Sequence, residues 1–449
     1  MRISLDRLLA KLSRVLFFAT IVLIPFRFRV VLLERPVGSV WEDYTNFLLF
    51  ASDITLILML VSWVGLWLVR RHPIERGPLF LTLPLAGLTL AALATSFTSI
   101  DPALSIYHSF RLVLLFGFYL YVVNEVGSIK QLFAPLGIMI AVQGFVAIAQ
   151  SLNQRSIGFQ WLGEYQLDPA WSGVSVVATE TERVLRSYGL SDHPNILGGC
   201  LVFALLIFVV ALLRTKDEWR LMPASGVLIV GTVAVLLTFS RSAWLAGVAG
   251  LAYLAFHLSK NKDGAINRRA IALGATVVLV LIPFLLANSA SLGVRVGANA
   301  SFEELTAEAS SLRERGILIG AANTIFSTHA LTGVGIGASP QAFRQQFPVF
   351  GSFYQPPHVV LLAAALETGL IGALFYAILF AAPWLALRLN RKIKMNLDLL
   401  AASALLLALT TVGFFDYYPW LLAPGRLWQY LAWGLWARFY LAATKVSSA

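Results

Sequence analysis

Charged residues are scarce in this sequence: Asp, Glu, Lys and Arg make up 13% of its 449 residues, whereas 58% are hydrophobic. A soluble domain carries about 25% charged residues, so the composition indicates a polytopic membrane protein. The chain has one cysteine, Cys200, which excludes an intrachain disulfide and a thiolate metal cluster. The six histidines are scattered without the spacing of metal ligands, and we expect neither an obligatory metal nor a cofactor.

Twelve apolar runs are candidate membrane spans. They lie at about 12–28, 46–69, 79–97, 107–124, 132–151, 194–213, 221–238, 242–258, 269–288, 358–387, 397–414 and 424–442. The stretch 221–258 is interrupted only at 240–242 (SRS), which predicts a tight hairpin with Arg241 near its tip. The sequence therefore predicts an all-α polytopic protein, a single integral membrane domain over 1–449 with about twelve transmembrane helices.

Basic residues are distributed unevenly between the two sides of this predicted bundle, although the net charge is +11. With the N-terminus on the inner side, all lysines and many arginines fall in inner segments, whereas the outer segments carry arginine only. This agrees with the positive-inside rule and predicts that both termini are cytoplasmic. The same distribution argues against a basic groove for nucleic acid. The apolar run after Arg14 lacks a small-residue cleavage site, so we expect an uncleaved first helix.

The long loops fall on the outer side, at 152–193 and, between the ninth and tenth spans, at 289–357. Long loops on one face of a compact bundle are usually functional or disordered. Residues 301–304 (SFEE) have the pattern of a capping box that opens a helix over about 301–329. We expect this helix to be amphipathic, with Arg315 on the side that faces the bundle.

Three outer arginines are candidates for binding a phosphate group. Arg186 precedes the sixth span, Arg241 lies at the hairpin tip, and Arg315 lies on the amphipathic helix. An arginine at membrane depth is costly unless an anion or a cavity receives it, and its planar fork suits phosphate and diphosphate. The alternative is that these side chains extend to the lipid headgroups and bind no substrate.

His358 starts the tenth span after two prolines and is a candidate general base, because neutral imidazole accepts a proton near pH 7. The alternative is a helix cap or an interface residue. Glu367 lies nine residues further along the same helix, about 13–14 Å away and beyond hydrogen-bond reach of His358. A carboxylate inside an apolar helix needs a partner, so we interpret Glu367 as a buried structural residue near the site.

Two polar turns are further candidates. Residues 331–337 (LTGVGIG), with Gly335 at their centre, have backbone amides that suit a phosphate, but they lack the remaining parts of a P-loop. A tight turn that allows close backbone approach is the alternative. Residues 192–195 (DHPN) combine an Asx-type turn with a helix start, and Asn195 is placed to contact a ligand.

These elements together resemble the O-antigen ligase and polymerase superfamily of bacterial envelope glycosyltransferases. The matching blocks are, in chain order, Arg186 with Gly189 and 193–195 (HPN), 240–244 (SRSAW), Arg315 followed by 331–337, and His358 with Leu362 and 367–372 (ETGLIG). The family often has asparagine after the histidine, where this chain has Val359, and an aromatic residue where this chain has Ile319.

The resemblance implies an inverting, metal-independent glycosyltransferase in the bacterial cytoplasmic (inner) membrane, with its active site on the outer face. The donor would be a glycan on a polyprenyl diphosphate such as undecaprenyl diphosphate, as in lipopolysaccharide and polysaccharide biosynthesis. The acceptor would be a hydroxyl of lipid A core, of another glycan or of another molecule. The residues implied to bind the donor are Arg186, Arg241, Arg315, Asn195, His193 and Gly335. The three arginines would also be catalytic, and His358 would activate or orient the acceptor.

Three other functions remain open from the sequence. A polysaccharide polymerase would join repeats of the same donor and share these blocks. A transporter or flippase of lipid-linked glycans would place polar residues at the membrane midplane on broken helices, often in two related halves, and we detect no internal repeat. A structural scaffold is disfavoured by the cost of several arginines near apolar surface.

Overall fold

Apolar segments that cross a membrane must satisfy their backbone hydrogen bonds internally, and a helix does so within one segment. The computed structural model describes residues 5–178, 182–215, 221–296 and 302–448. The protein is mostly helical, at 72%. This confirms the predicted helical class.

The helices of the described residues are α1 Leu5–Leu23, α2 Ala51–Arg70, α3 Leu79–Thr95, α4 Pro102–Glu125, α5 Phe133–Asn153, α6 Pro194–Leu213, α7 Leu221–Leu237, α8 Arg241–Leu258, α9 Gly264–Ala287, α10 Ser289–Val296, α11 Phe302–Thr328, α12 Ser339–Gln346, α13 Val360–Leu389, α14 Leu397–Gly413, α15 Tyr418–Leu421 and α16 Ala423–Ser448. The strands are β1 Arg29–Leu33, β2 Phe47–Phe50, β3 Val176–Ala178 and β4 Arg183–Leu185. Each strand pairs only with its neighbour in sequence, β1 with β2 and β3 with β4, and both pairs are antiparallel.

Each of the twelve predicted spans overlaps a helix, although the first, predicted at about 12–28, is the helix Leu5–Leu23. Among the described residues, seven helical segments are long and apolar enough to cross a membrane: Ala51–Arg70, Leu79–Thr98, Pro102–Glu125, Ile129–Asn153, Pro194–Leu213, Gly264–Ala287 and Val360–Leu389. Two shorter helices, Leu221–Leu237 and Leu397–Gly413, are also apolar. The protein therefore has several membrane-spanning helices, while the total of twelve crossings stays a prediction.

The two strand pairs correct the expectation of an all-α chain. The span predicted from residue 46 begins at Ala51 instead, because Phe47–Phe50 pairs with Arg29–Leu33. Tyr107 on α4 fixes this strand, since its hydroxyl donates a 2.5 Å hydrogen bond to the Leu48 carbonyl. The apolar side chains of Phe47–Phe50 suit a strand as well as a helix, so composition alone did not separate the two.

α7 and α8 lie where the sequence predicted a hairpin. Phe239 adopts a left-handed backbone conformation with φ of 46°, which ends the first helix. The Ser240 hydroxyl then accepts a hydrogen bond from the Ala243 amide and caps the second helix. Arg241 is the first residue of α8, and its side chain is partly buried.

α10, α11 and α12 occupy the segment between α9 and α13. Helix α11 runs over Phe302–Thr328, where the sequence predicted a helix at about 301–329, whereas Ser301 and its capping role lie outside the described residues. Leu318, Ala321, Ala322 and Ile325 are buried and form one face of this helix. Arg315 precedes Leu318 by three residues and therefore lies on the same side.

Helix α13 is broken at Gly369, whose φ of 65° and ψ of −173° are not helical. The chain from 330 to 337 crosses at this break and supplies hydrogen bonds to it. The amides of Val334 and Gly335 donate to the carbonyls of Leu366 and Glu367 at 2.9 and 3.0 Å, and the Leu370 amide donates to the Ala330 carbonyl at 2.8 Å. The broken helix is thus tolerated because a neighbouring segment satisfies its backbone.

We predict that Gly369→Ala destabilises the protein strongly. An added Cβ would lie 2.1 Å from the Leu331 carbonyl oxygen, in a backbone conformation that costs a non-glycine residue on the order of 1–3 kcal/mol before any clash. Gly320→Ala in α11 is the matched control, because a Cβ there meets no atom within 4 Å. Thermal unfolding of the purified proteins in detergent measures the effect, and equal midpoints for the two variants would contradict the account of the break.

Candidate functional site

Arg186 anchors a hydrogen-bonded chain at the start of α6. Its side chain is buried, and Nε donates to the Thr238 carbonyl at 2.8 Å, while Nη2 donates to Asn195 Oδ1 at 2.6 Å. Thr238 belongs to the turn between α7 and α8, whereas Asn195 is the second residue of α6. One guanidinium therefore ties the α7–α8 turn to the α6 terminus, which its planar geometry allows.

Asn195 continues this chain to Asp416, a buried residue between α14 and α15. The Asn195 side chain donates from Nδ2 to Asp416 Oδ2 at 2.9 Å. His193 stabilises the same terminus, because its Nδ1 accepts from the Asn195 amide at 3.1 Å and its Nε2 pairs with the Ser175 hydroxyl at 3.0 Å. His193 is thus the N-cap of α6, and its two ring nitrogens contact protein groups.

His358 lies two residues before α13, close to Asp416. Its imidazole packs edge-to-face against the Tyr417 ring with centroids 5.0 Å apart, and its buried Nδ1 has no hydrogen-bond partner among the described residues. Burial lowers the pKa of His358 from its ordinary value and Arg315 lowers it further, whereas the nearby carboxylates of Asp416 and Glu314 raise it. The net direction is downward, so this imidazole is neutral at pH 7.

The part of α11 that carries Glu314 and Arg315 lies beside His358. Glu314 accepts hydrogen bonds from the Ser352 hydroxyl at 2.7 Å and from Gln355 at 3.1 Å, which ties α11 to the segment before α13. The Arg315 side chain is partly buried, and within the described residues no hydrogen bond or ion pair engages its guanidinium. A fixed positive charge therefore lies next to His358 without a protein anion bound to it.

Arg241 lies at the same end of the bundle, at the start of α8. It follows Thr238, the partner of Arg186, by three residues, and its side chain is partly buried. The structure thus links Arg186 through Asn195 to Asp416, and brings His358 close to both Asp416 and Arg315, with Arg241 at the start of the adjoining helix α8.

The segment before α2 forms another wall of the site. The hydroxyls of Tyr44 and Tyr417 hydrogen-bond to each other, and burial raises the pKa of both phenols, so they stay protonated. Arg29 bridges Asp43 and Asp192, with both N–O distances at 2.5 Å. Burial raises the pKa of Asp192, and the arginine opposes that rise. These contacts fasten residues 29–44 to the turn that precedes α6.

Gly335 and Glu367, both candidates from the sequence, lie at the break in α13. The Gly335 amide donates inside the protein to the Glu367 carbonyl, and Ser99 Oγ lies 1.9 Å from where a Cβ would be, so this buried turn is not open to a phosphate. The expectation that Gly335 binds substrate is therefore wrong, and the tight-turn alternative explains the glycine. Glu367 is buried and accepts from the Gly337 amide at 2.8 Å, from Ser339 at 2.7 Å and from Trp420 at 2.7 Å.

Sequence reasoning missed Asp416, Tyr417 and Tyr44. Asp416 had a usable signal, since it is an acidic residue in a short loop between two apolar runs. The tyrosines had none, because aromatic residues are common at membrane interfaces whether or not they adjoin a site. For metal binding, no group of three His, Cys, Asp or Glu side chains in the described parts of the chain is arranged to hold an ion. The metal-independent reaction stays a prediction.

The fold and the site define a helical membrane protein with arginines, a histidine and carboxylates gathered at one end of its bundle. Residues 226–377, about a third of the chain, match the family model described as O-Antigen ligase. Over this stretch the chain is similar to the O-antigen ligase family, which confirms the predicted resemblance. This family carries out glycan transfer of the ligase or polymerase type and acts on lipid-linked glycans. No curated protein matches the chain.

We predict that Glu367→Ala destabilises the protein by at least about 3 kcal/mol, because three buried donors lose their acceptor at about 1–3 kcal/mol each. Glu367→Gln keeps one side-chain oxygen and is expected to lose less. Thermal unfolding monitored by tryptophan fluorescence measures both variants. An alanine variant that melts with the wild type would show that these bonds do not hold the turn.

Proposed function

We propose that this protein moves a glycan from a polyprenyl diphosphate carrier to an acceptor hydroxyl, in an inverting reaction that needs no metal. The observation that carries the proposal is the convergence of Arg315 and His358 with the Arg186–Asn195–Asp416 chain, from four distant parts of the sequence. We further propose twelve spans, cytoplasmic termini and a site on the outer face of the bacterial inner membrane.

In this proposal the arginines stabilise the departing diphosphate. Breaking the bond between the anomeric carbon and the diphosphate oxygen leaves negative charge on that oxygen, and fixed cations are the groups that lower such a barrier. Arg315 is suited to this role because no anion of the described protein engages it. Arg241 adds charge from the α7–α8 turn. Arg186 is buried, so it supplies charge from behind Asn195 and holds that amide in place.

His358 activates the acceptor in the same proposal. As the acceptor oxygen attacks the anomeric carbon, its proton passes to the imidazole, while the bonding electrons leave with the diphosphate. A base must be neutral before the reaction, and the lowered pKa of His358 supports that state. Nδ1 is buried, which leaves Nε2 as the nitrogen that faces the acceptor. Asp416 then lies where it stabilises the imidazolium that forms.

An apolar groove supports a lipid-linked donor. It has a volume of about 270 Å³ and lies between α6, α7, α8 and α9, with Val235, Trp244 and Phe284 among its lining residues. The polar atoms of Trp244 and Thr232 are bonded to carbonyls of α7, so the groove wall is apolar. Its upper end is the turn that carries Arg241. We propose that part of the prenyl chain lies here, with the diphosphate above it.

A polymerase would use the same donor and the same charges, and it differs only in its acceptor. Purified protein given the lipid-linked glycan alone distinguishes the two activities. Chain growth on the donor indicates a polymerase, whereas a requirement for a second lipid or another acceptor indicates a ligase.

We predict that Arg315→Gln lowers glycan transfer by about 10²–10³-fold, the cost of removing one donor to a developing oxyanion. Arg315→Lys and Arg241→Lys keep the charge but lose the bidentate fork, so each is expected to remain well below wild type. The assay is transfer from a polyprenyl diphosphate glycan by reconstituted protein. Arg344→Lys is the control, because Arg344 is an exposed arginine of α12. Full activity of both lysine variants at Arg315 and Arg241 would exclude the proposed diphosphate contacts.

We also predict a pH profile governed by His358. Activity falls as pH decreases through the pKa of His358, which lies below its ordinary value of about 6.5. Asp416→Asn removes a charge that raises this pKa, so the acidic limb moves to lower pH. Arg315→Gln removes a charge that lowers it, so the limb moves to higher pH. The measurement is kcat/KM against pH for the three proteins, and coincident limbs would argue against His358 as the base.

A further inference from the structure

A cavity lined by basic side chains lies between α1 and α2. Its volume is about 570 Å³, and its lining includes Arg7, Lys11 and Arg14 of α1 and Arg70 at the end of α2. The sequence match to the ligase family begins at residue 226 and includes none of them.

This cavity lies at the end of the bundle remote from the candidate site. Near the C-terminal end of α1, the Ser191 hydroxyl donates to the Pro25 carbonyl at 2.6 Å and the Arg27 amide donates to the Leu190 carbonyl at 2.6 Å. That end therefore adjoins the turn before His193. Helix α1 has 19 residues, which is about 28 Å at 1.5 Å per residue, so its basic end and the candidate site are separate.

The cations of α1 are short of protein partners. Arg7, Lys11 and Arg14 recur at intervals of four and three residues and share one helix face, where like charges repel. Asp6 bonds to Arg70 at 2.9 Å. Within the described residues, no hydrogen bond or ion pair engages the side chains of Arg7, Lys11 or Arg14. A bound anion would remove the repulsion that the described residues leave uncompensated.

The character of the cavity changes along α1. Beyond Arg14 its lining continues with Val15 and Phe18, which lie one and four positions nearer the C-terminal end of the helix. Val15 is 56% exposed. A ligand that fits therefore carries negative charge at one end and hydrocarbon at the other. A nucleotide or free phosphate would satisfy only the charged part.

We propose that this cavity binds an anionic phospholipid of the adjacent membrane leaflet, with its phosphate among Arg7, Lys11, Arg14 and Arg70 and an acyl chain along Val15 and Phe18. Basic pockets between membrane helices hold lipid headgroups in this way. A general attraction of basic residues to an anionic surface is the competing explanation. It requires no cavity and treats all basic clusters at this end of the bundle alike.

The experiment titrates phosphatidylglycerol into the delipidated full chain in detergent and counts bound lipids by native mass spectrometry. Phosphatidylcholine serves as the neutral probe. We expect wild-type protein to retain phosphatidylglycerol selectively. The variant R7Q/K11Q/R14Q should bind it on the order of 100-fold more weakly, at about fivefold for each basic residue lost. Phe18→Ser should weaken lipid binding while all four cations remain.

The matched control is R388Q/R391Q/K394Q, which removes the same charge from exposed residues at the end of α13 remote from His358. It should bind phosphatidylglycerol as the wild type does. Equal weakening by both triple variants would overturn the proposal in favour of general attraction. Full displacement of the lipid by inorganic phosphate would also overturn it, because the site would then take a free anion. If the triple variant does not fold, Lys11→Gln alone should show the fivefold loss, and an unchanged affinity contradicts the site.

Discussion

The backbone of a membrane helix must find hydrogen bonds within the protein, and this requirement governs the break in α13. At Gly369 the helix stops being regular, and the chain from 330 to 337 supplies the missing partners. That chain follows α11, which carries Arg315, and the broken helix starts beside His358. The backbone bonds at the break therefore tie the segment that follows α11 to the helix that follows His358. Glu367 adds side-chain hydrogen bonds at the same break.

A second set of contacts, at the same end of the bundle, provides hydrogen bonds to the buried charged residues Arg186 and Asp416. The Arg186 guanidinium donates hydrogen bonds to the Thr238 carbonyl and to Asn195, and the Asn195 side chain donates in turn to Asp416. The buried side chains of Arg186 and Asp416 thereby each have a partner, as burial requires. Opposite charges also act on His358 from two directions, since Arg315 lowers its pKa while Asp416 raises it. The pKa of His358 therefore reflects the combined effect of burial and these neighbouring charges.

Sequence periodicity and charge predicted the helical class and located the long apolar helices, because apolar length is a strong signal. They did not predict the paired strands, since Phe47–Phe50 is apolar in either structure. Arg186, Asn195, Arg315 and His358 were found because polar residues stand out beside apolar runs. Gly335 was misjudged, as a glycine turn has the same letters whether its amides face a ligand or another backbone. Tyr44 and Tyr417 required the fold, because only tertiary packing brings residues so distant in sequence together.

The contact between Tyr44 and Tyr417 joins two parts of the chain that both lie outside the matched segment. The stretch that matches the ligase family holds Arg241, Arg315 and His358, whereas both tyrosines, Arg29 and Asp192 lie outside it. One wall of the site is thus encoded within the recognisable segment, and the facing wall is encoded by parts of the chain without that signature. A substitution at Tyr44 or Tyr417 therefore changes what lies beside His358 without altering any residue of the matched segment.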